Sequence, residues 1–343
     1  MSHPKPVGVI CNGWTQQIEE YAISGGWTKG GDYLITGDSA GNIYIFDGTK
    51  GKQIWSHKNS HELGLLAVAV HPDQDQFASS GQDGRILIWG ASDGRLIHEI
   101  DCDDGWIENL SWSPNGDMLA ASCLRKIFIF NKLGDEIWRS EKQASTISAV
   151  AWSGSKEIAS ACYGQVTFFD SSSGNITQEF KWKGSLVSMV MSPDGDIVAC
   201  GSQDNSVHFW RRSTSKDSMM SGYPYKPSAL AFDKSGVFLA TGGSDAVTVW
   251  NFEGNGPEGT APGILEFHSQ PISKLTFSSR GEKLASTARD GTVVVWDLNK
   301  DGSGEPVGIA KSNDVVGHLA WRPDGRAIAA LGSEGHVTVW KVR

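Results

Sequence analysis

The stretch LLAVAVHPDQDQFASSGQDGRILIW, Leu65–Trp89, contains the pattern that decides the fold. Small and apolar residues alternate on both sides of the segment HPDQDQ, and a β-branched run ends at Trp89. Alternation with a period of two, together with Val and Ile, is typical of strands. The Pro, Asp and Gly residues between these runs indicate hairpin turns. The stretch therefore predicts three consecutive antiparallel strands.

The same pattern returns along the whole chain, which indicates internal repeats. Eight β-branched runs end in an aromatic residue, at Phe46, Trp89, Phe130, Phe169, Trp210, Trp250, Trp296 and Trp340. Neighbouring aromatics are 39 to 46 residues apart. A further short apolar segment follows the aromatic in the earlier repeats, for example KQIW from Lys52, so the repeat unit has four strands. No window shows a convincing helical stripe, and the predicted class is all-β.

Composition narrows the classes of function. The chain has 343 residues, of which 39% are hydrophobic and 20% charged, as in a globular protein. Lys and Arg number 30 against 39 Asp and Glu, so the net charge of -9 predicts no affinity for nucleic acid or anionic lipid. No apolar run approaches the ~18 residues of a spanning helix. We therefore expect a cytoplasmic protein with no membrane association, whose five cysteines are reduced thiols.

A chain of four-stranded repeats of about 42 residues resembles the WD-repeat β-propellers. The family signature is a His early in the repeat, a Ser or Thr in the second strand, an Asp in the next turn and a Trp in the third strand. Two repeats match all four positions: His61, Ser79, Asp83 and Trp89, and then His268, Ser286, Asp290 and Trp296. The resemblance implies that each set is a hydrogen-bonded structural tetrad.

Other repeats keep only part of this signature. The fifth repeat has Asp204 and Trp210, with Trp182 in place of the His, and the sixth has Thr241, Asp245 and Trp250. The first repeat lacks both the His and the Asp of the signature. These repeats are expected to depend more on apolar packing.

The resemblance implies a single closed β-propeller domain over residues 1–343. Eight aromatic-ending strands favour eight four-stranded antiparallel blades, with seven as the alternative because the first repeat is degraded. The last repeat stops at Arg343, directly after its third strand. We expect the N-terminal segment Val7–Cys11 to supply the missing fourth strand and to close the ring, which would remove an exposed edge. Deletion of residues 1–11 is accordingly expected to lower stability.

The sequence contains no nucleophile elbow, phosphate-binding loop or HExxH motif. We therefore predict no catalytic residue, no cofactor and no enzymatic activity. An alternative stays open, in which the mouth of the channel binds a metal or small ligand, with or without catalysis, near Cys102, Asp103, Asp104 and Cys123. The competing interpretation is that Cys123, Cys162 and Cys200 replace small buried residues.

Loops from the fourth strand to the next first strand, and turns between strands two and three, emerge on one face of each repeat. The resemblance makes this face the surface for partners. The residues that we expect to project there are Tyr21, Leu66, Gln82, Trp106, Glu108, Gln203, Lys226 and Arg289. Trp106 is the strongest candidate because aromatic side chains dominate binding energy, and Glu108 beside it suits a partner with a basic segment. Trp14, Trp182, Tyr223 and Tyr225 lie in similar loops and extend this aromatic set, although burial is the stronger expectation for Trp182 because it stands at a tetrad His position.

These observations predict a non-catalytic scaffold, or an assembly or regulatory factor, that binds other proteins or peptides on one face. The sequence is compatible with a monomer. Recognition by a preorganised surface limits the entropy that is lost on association.

Overall fold

The computed structural model describes residues 5–102, 105–254, 256–281 and 283–343. Within these residues the chain forms 31 strands and no helix, so the all-β prediction is confirmed. Two compact units can be distinguished, one formed by the residues up to Thr15 together with Val187–Arg343, and the other by Gln16–Leu186.

The unit Gln16–Leu186 contains the first four repeats. Its strands are β3 (Ala22–Trp27), β4 (Tyr33–Asp38), β5 (Ile43–Asp47), β6 (Gln53–His57), β7 (Leu65–Val70), β8 (Gln76–Gly81), β9 (Arg85–Gly90), β10 (Leu96–Asp101), β11 (Ile107–Trp112), β12 (Met118–Cys123), β13 (Lys126–Asn131), β14 (Glu136–Arg139), β15 (Ala149–Ser153), β16 (Glu157–Asp170) and the first part of β17 (Ile176–Met191). The first three repeats each form one four-stranded antiparallel sheet, in which neighbours in the chain are neighbours in the sheet.

The unit that contains Val187–Arg343 holds the last four repeats. Its strands are β1 (Val7–Gly8), β2 (Ile10–Gln17, up to Thr15), the end of β17, β18 (Ile197–Ser202), β19 (Val207–Arg211), β20 (Lys216–Met220), β21 (Ala229–Phe232), β22 (Phe238–Gly242), β23 (Val247–Asn251), β24 (Gly263–Leu265), β25 (Ile272–Phe277), β26 (Lys283–Ala288), β27 (Thr292–Leu298), β28 (Gly304–Lys311), β29 (Val316–Trp321), β30 (Ala327–Gly332) and β31 (His336–Val342).

The described strands form seven sheets, which is the alternative count, and not the eight separate sheets that the repeats favoured. The reason lies in the fourth and fifth repeats, whose strands β15 to β20 belong to one six-stranded sheet. Strand β16 pairs with β15 through its first half and with β17 through its second half. Strand β17 runs on through Trp182, where other repeats have a loop between sheets. All eight aromatic-ending runs are nevertheless present as strands.

The N-terminal segment completes the last sheet, as predicted, but with different residues. The sheet order is β2-β31-β30-β29, so the fourth strand begins at Ile10. The preceding residues, Val7–Gly8, instead form β1, a fifth strand on β28 of the seventh repeat. Ile10 is buried among Val316, Trp321 and other apolar residues of the last two repeats. The predicted segment Val7–Cys11 is therefore divided between two sheets.

Tryptophans at the end of first strands join neighbouring sheets. The indole Nε1 of Trp112 donates a hydrogen bond to the carbonyl oxygen of Ala69 in the preceding repeat, at 3.1 Å. Trp152 makes the same bond to Ser111 at 3.0 Å, and Trp321 to Thr276 at 3.1 Å. A buried indole needs a partner for its N–H group, and here the partner is always the backbone of the neighbouring first strand. Each bond fixes the spacing of two adjacent sheets.

Candidate functional site

The second repeat contains a complete tetrad, as predicted. Nε2 of His61 lies 2.8 Å from Oγ of Ser79, and Nε1 of Trp89 donates to the same Oγ at 2.9 Å. Nδ1 of His61 lies 3.1 Å from Oδ1 of Asp83. The Ser79 hydroxyl accepts the Trp89 N–H and can therefore donate its own proton to Nε2 of His61. The imidazole proton is then on Nδ1, which donates to Asp83. The four side chains thus form one directed chain of hydrogen bonds.

Asp83 is ionised within this network. Burial disfavours its charge, but hydrogen bonds from His61 and Arg85 outweigh burial and lower the pKa of Asp83 to about 2. The backbone N–H of Glu62 also donates to Asp83, at 3.0 Å, and the Arg85 guanidinium contacts it at 2.9 Å. The carboxylate therefore ties the loop before β7 to the turn between β8 and β9.

The seventh repeat has the second predicted tetrad, in a looser form. Nε2 of His268 and Nε1 of Trp296 both lie 2.8 Å from Oγ of Ser286. Nδ1 of His268 is 3.6 Å from Oδ2 of Asp290, which is too long for a hydrogen bond. Burial lowers the pKa of His268, and backbone N–H donors hold the pKa of Asp290 below its ordinary value despite burial. This repeat retains the tetrad with a weaker link between His and Asp.

In the sixth repeat a tyrosine takes the place of the histidine. Nε1 of Trp250 donates to the hydroxyl of Tyr223 at 2.9 Å, and that hydroxyl lies 2.7 Å from Oγ1 of Thr241. Tyr223 is buried, so the expectation that it extends an exposed aromatic surface is wrong. Asp245 is exposed and bonds only to its neighbour Ser244, so it does not belong to the network. Tyr225, two residues after Tyr223, is 55% exposed.

The first repeat has a polar network that the sequence pattern missed. Asp38 is fully buried and accepts hydrogen bonds from the backbone N–H groups of Ala40 and Asn42, from Asn42 Nδ2 and from the Tyr44 hydroxyl. Burial and the Asp38 charge raise the pKa of Tyr44 to about 12, so the hydroxyl remains a donor. The only signal in the sequence is the Asp-Ser-Ala-Gly-Asn turn, which starts earlier than the Asp of a tetrad.

The predicted surface residues of the Gln16–Leu186 unit lie at one end of its repeats. Tyr21 and Trp106 are 38% and 49% exposed and directly precede β3 and β11. Glu108 is exposed and lies at a β-bulge between Ile107 and Asn109. Leu66 and Gln82 are half-buried.

Three further apolar side chains belong to the same surface, and the sequence pattern missed them. Leu63, Leu124 and Tyr163 are 79%, 48% and 59% exposed. With Tyr21 and Trp106 they form a set that we call the apolar loop surface. A Cβ atom on Gly105, the neighbour of Trp106, would lie 3.0 Å from the Leu124 side chain, so Trp106 and Leu124 belong to adjoining segments.

Backbone hydrogen bonds connect the loops that carry this surface. The loop before β7 is bonded to the turn of the preceding repeat and to the turn of its own repeat, and the loops before β11 and β15 are bonded to the turn of the preceding repeat. The bonds run from His61 N to Gly41 O, Gln82 N to Gly64 O, Cys102 N to Gly84 O, Gln143 N to Arg125 O and Ile147 N to Leu124 O, at 2.8 to 3.2 Å. The apolar loop surface is therefore held by a rigid backbone frame and not by independent loops.

Two leucines of the surface have unusual backbone geometry. Leu63 has φ of 66° and Leu124 has φ of 52°, in the left-handed region that favours Gly and Asn. A leucine there costs stability and, at 79% and 48% exposure, recovers little of it by burial. Because these two leucines do not stabilise the folded unit, their exposed side chains point to a role in binding.

The remaining predicted surface residues belong to the unit with Val187–Arg343. Gln203, Lys226 and Arg289 are all exposed and lie beside the corresponding loops and turns. The N–H of Arg289 donates to the carbonyl of Pro271. This surface is mostly polar, and only Tyr225, Phe267 and Val315 are exposed large apolar residues near it.

The described residues give little support to the alternative metal or small-ligand site near the thiols. Cys102 and Cys123 are both buried within an apolar cluster that includes Ile107 and Phe128. Asp103 and Asp104 lie outside the described residues. In the part of the chain that the structure describes, no group of three or more His, Cys, Asp or Glu residues could hold a metal ion. All five cysteines are free thiols, and burial raises the pKa of the Cys200 thiol.

No helix among the described residues is long and apolar enough to cross a membrane.

Family models and known proteins match this chain over most of its length. The model "WD domain, G-beta repeat" matches residues 174–211 and 259–297, and the model "Anaphase-promoting complex subunit 4 WD40 domain" matches residues 26–115 and 110–192. Actin-interacting protein 1 of Caenorhabditis elegans is 23% identical over 95% of the chain and 54% of its own length. Autophagy-related protein 16 of Arabidopsis thaliana is 22% identical over 90% of the chain and 62% of its length.

The chain thus spans little more than half the length of these two relatives. Among solved structures, the crystal structure of the computationally designed protein Ika8 superimposes with a TM-score of 0.82 at 19% identity. The match covers 95% of this chain and 98% of the designed one, and it shows the β-propeller fold. Together with the tetrads of the second and seventh repeats, these matches show that the chain is a member of the WD-repeat β-propeller family.

Proposed function

We propose that the protein is a non-catalytic scaffold that binds another protein through the apolar loop surface of the Gln16–Leu186 unit. The observation that carries this proposal is the set of five exposed large apolar side chains, Tyr21, Leu63, Trp106, Leu124 and Tyr163, on one hydrogen-bonded frame. Exposed apolar groups on a rigid surface are typical of protein-binding sites. Because the frame is preorganised, little entropy is lost when a partner docks.

Charge on this surface favours one chemistry of partner. Glu62 and Glu108 are exposed close to Leu63 and Trp106 in the chain. A partner segment with an apolar residue next to Lys or Arg would satisfy both the apolar groups and the carboxylates, and the Trp106 ring offers a face for a cation. We therefore expect a partner with a basic, apolar peptide segment.

The tetrad histidines have a structural role, which supports the proposal that the protein is not a catalyst. The imidazoles of His61 and His268 are buried and bonded to Ser79 and Ser286. A scaffold role also agrees with the name of Actin-interacting protein 1, one of the relatives. For this chain, an assembly or regulatory role follows from fold analogy.

Affinity capture from the native host followed by mass spectrometry tests the proposal. The wild-type chain is compared with Trp106→Ala and Leu124→Ala, and with Leu133→Ala as a matched control. Leu133 is 59% exposed but lies in the turn between β13 and β14, at the opposite end of the same repeat. Thermal unfolding of all variants establishes that folding is unchanged.

We expect at least one protein to be recovered by the wild type and by Leu133→Ala and to be lost with Trp106→Ala. Direct titration of that purified protein should then show an affinity about tenfold or more weaker for Trp106→Ala, as for a central aromatic anchor. Equal recovery by all variants would show that the apolar loop surface is not the binding site.

A further inference from the structure

The unit with Val187–Arg343 contains a cleft whose walls are basic. Its volume is about 280 Å³, and the lining includes Arg280, Lys283, Trp321, Arg326, Val342 and Arg343. In a chain with a net charge of -9, four cationic side chains around one small cleft are an exception to the general charge distribution. Arg343 is the last residue of the sequence, and the other three cations, Arg280, Lys283 and Arg326, lie in or beside turns.

The turns of two adjacent repeats position these cations. Arg280 and Lys283 belong to the turn between β25 and β26 and to the start of β26, and Arg326 ends the turn between β29 and β30. Gly325 has φ of 69°, and a Cβ atom on it would lie 3.3 Å from Cδ of Arg280. The stem of Arg280 therefore lies against the turn of the next repeat, which brings its guanidinium to the side of Arg326.

The three cations lack acidic partners within ion-pair distance in the described residues. The acid in the nearest turn, Asp324, is bonded by the Arg322 guanidinium at 2.8 and 2.7 Å and accepts the Arg326 backbone N–H at 2.9 Å. The Arg322 hydrogen bonds hold the pKa of Asp324 below its ordinary value, with a smaller contribution from the charge of Arg326. Asp297 is opposite Lys283 in the pairing of β26 with β27, yet the two side chains form no ion pair. Glu282 lies outside the described residues.

The floor of the cleft is apolar and closed. Trp321 and Val342 are 8% and 7% exposed, and the indole N–H of Trp321 is used by the carbonyl of Thr276. An apolar floor keeps water from one side of a bound anion, which strengthens its attraction to the surrounding cations. The small volume admits a compact anionic group and not a nucleic acid duplex, and the negative charge of the chain opposes an extended polyanion.

From this arrangement we propose that the cleft of Arg280, Lys283 and Arg326 binds a phosphate monoester. Three cations that form no ion pair with a described residue match a dianion better than a single carboxylate, and guanidinium groups bind phosphate oxygens in bidentate geometry. The ester can be a free small phosphate or a phosphorylated side chain, since both present the same group. The cleft belongs to a different unit from the apolar loop surface, so this site is independent of the proposed function.

Calorimetric titration of the full chain at low ionic strength tests the proposal. The probes are inorganic phosphate, O-phospho-L-serine and acetate. The variants are Lys283→Gln and Arg326→Gln, with Arg289→Gln as the matched control. Arg289 is an exposed cation that follows the other end of β26, so its removal changes the net charge equally without touching the cleft.

We expect saturable binding of both phosphates, weakened about tenfold by Lys283→Gln and by Arg326→Gln, as for a charge-assisted hydrogen bond. Arg289→Gln should bind like the wild type, and acetate should bind far more weakly. Tighter binding of O-phospho-L-serine than of phosphate would identify a phosphorylated side chain as the source, and equal binding a free phosphate. The proposal is overturned if neither phosphate binds, or if Arg289→Gln weakens binding as much as the cleft variants.

Discussion

The indole nitrogen of Trp250 lies 2.9 Å from the hydroxyl oxygen of Tyr223, whereas the indole of Trp89 in the second repeat bonds to the Ser79 hydroxyl. The link that both repeats retain is the one to the second strand, because the Tyr223 hydroxyl lies 2.7 Å from Thr241 as His61 lies 2.8 Å from Ser79. Tyr223 has no counterpart of the second imidazole nitrogen of a tetrad His, so the sixth repeat has no link from this position to the acid in the turn. Asp245 is accordingly exposed.

Tyr223→Phe should therefore destabilise the protein. The change removes the acceptor for the Trp250 N–H and the partner of Thr241 while the ring volume is kept. We expect the free energy of unfolding to fall by about 1 to 3 kcal/mol, measured by chemical denaturation. Tyr225→Phe is the control, since Tyr225 is 55% exposed. Equal effects of the two changes would contradict the role of Tyr223 in the network.

Asp83 should make stability depend on pH in the acid range. Its pKa is about 2 in the folded state against an ordinary value of 3.8. A depressed folded-state pKa stabilises above the unfolded value, and this stabilisation is lost as pH falls through the folded value. We expect the stability difference between wild type and Asp83→Asn to shrink by about 2 kcal/mol from pH 7 to pH 2.

Chemical denaturation at a series of pH values measures this difference. Asp245→Asn is the control because Asp245 is exposed and bonds only to Ser244. Its difference from the wild type should remain small throughout. If the difference in free energy of unfolding between wild type and Asp83→Asn is constant between pH 7 and pH 2, the charge of Asp83 does not stabilise the folded state.

Ile10→Ala should show that β2 is part of the core. Ile10 is 1% exposed and packs with Val316, Trp321 and Val342, so truncation leaves a cavity between the last two repeats. We expect a loss of about 2 to 5 kcal/mol in the free energy of unfolding. Val7→Ala, at a residue that is 53% exposed in β1, should change it little. If both variants unfold alike, the N-terminal strand contributes no packing.

The sequence predicted the repeats well because their strands depend on local alternation and on aromatic residues at fixed spacing. Trp89, for example, ends the predicted third strand and pairs with Phe77 across β9 and β8. The continuous strand β17 was missed because pattern matching assigns a loop wherever a tetrad His is expected, and Trp182 continues the strand instead.

The candidate site was only partly predictable. Trp106, Tyr21 and Glu108 were named from the sequence because strand boundaries place them at loop ends, and all three are exposed. Leu63 and Leu124 were missed because the sequence pattern gives no indication that an apolar residue in a loop or turn is exposed, or that its backbone is left-handed. The Asp38 network was missed because its donors, Asn42 and Tyr44, are not residues of the family signature.

The pairing of β2 with β31 also has a consequence for how the chain is made. The side chains of Thr15 and Thr338 are hydrogen-bonded although 323 residues separate them in sequence. During translation β2 emerges before β31, and its neighbour in the sheet exists only after residues 336–342 have left the ribosome. Until then Ile10 has no finished pocket, and its apolar side chain stays exposed on the nascent chain.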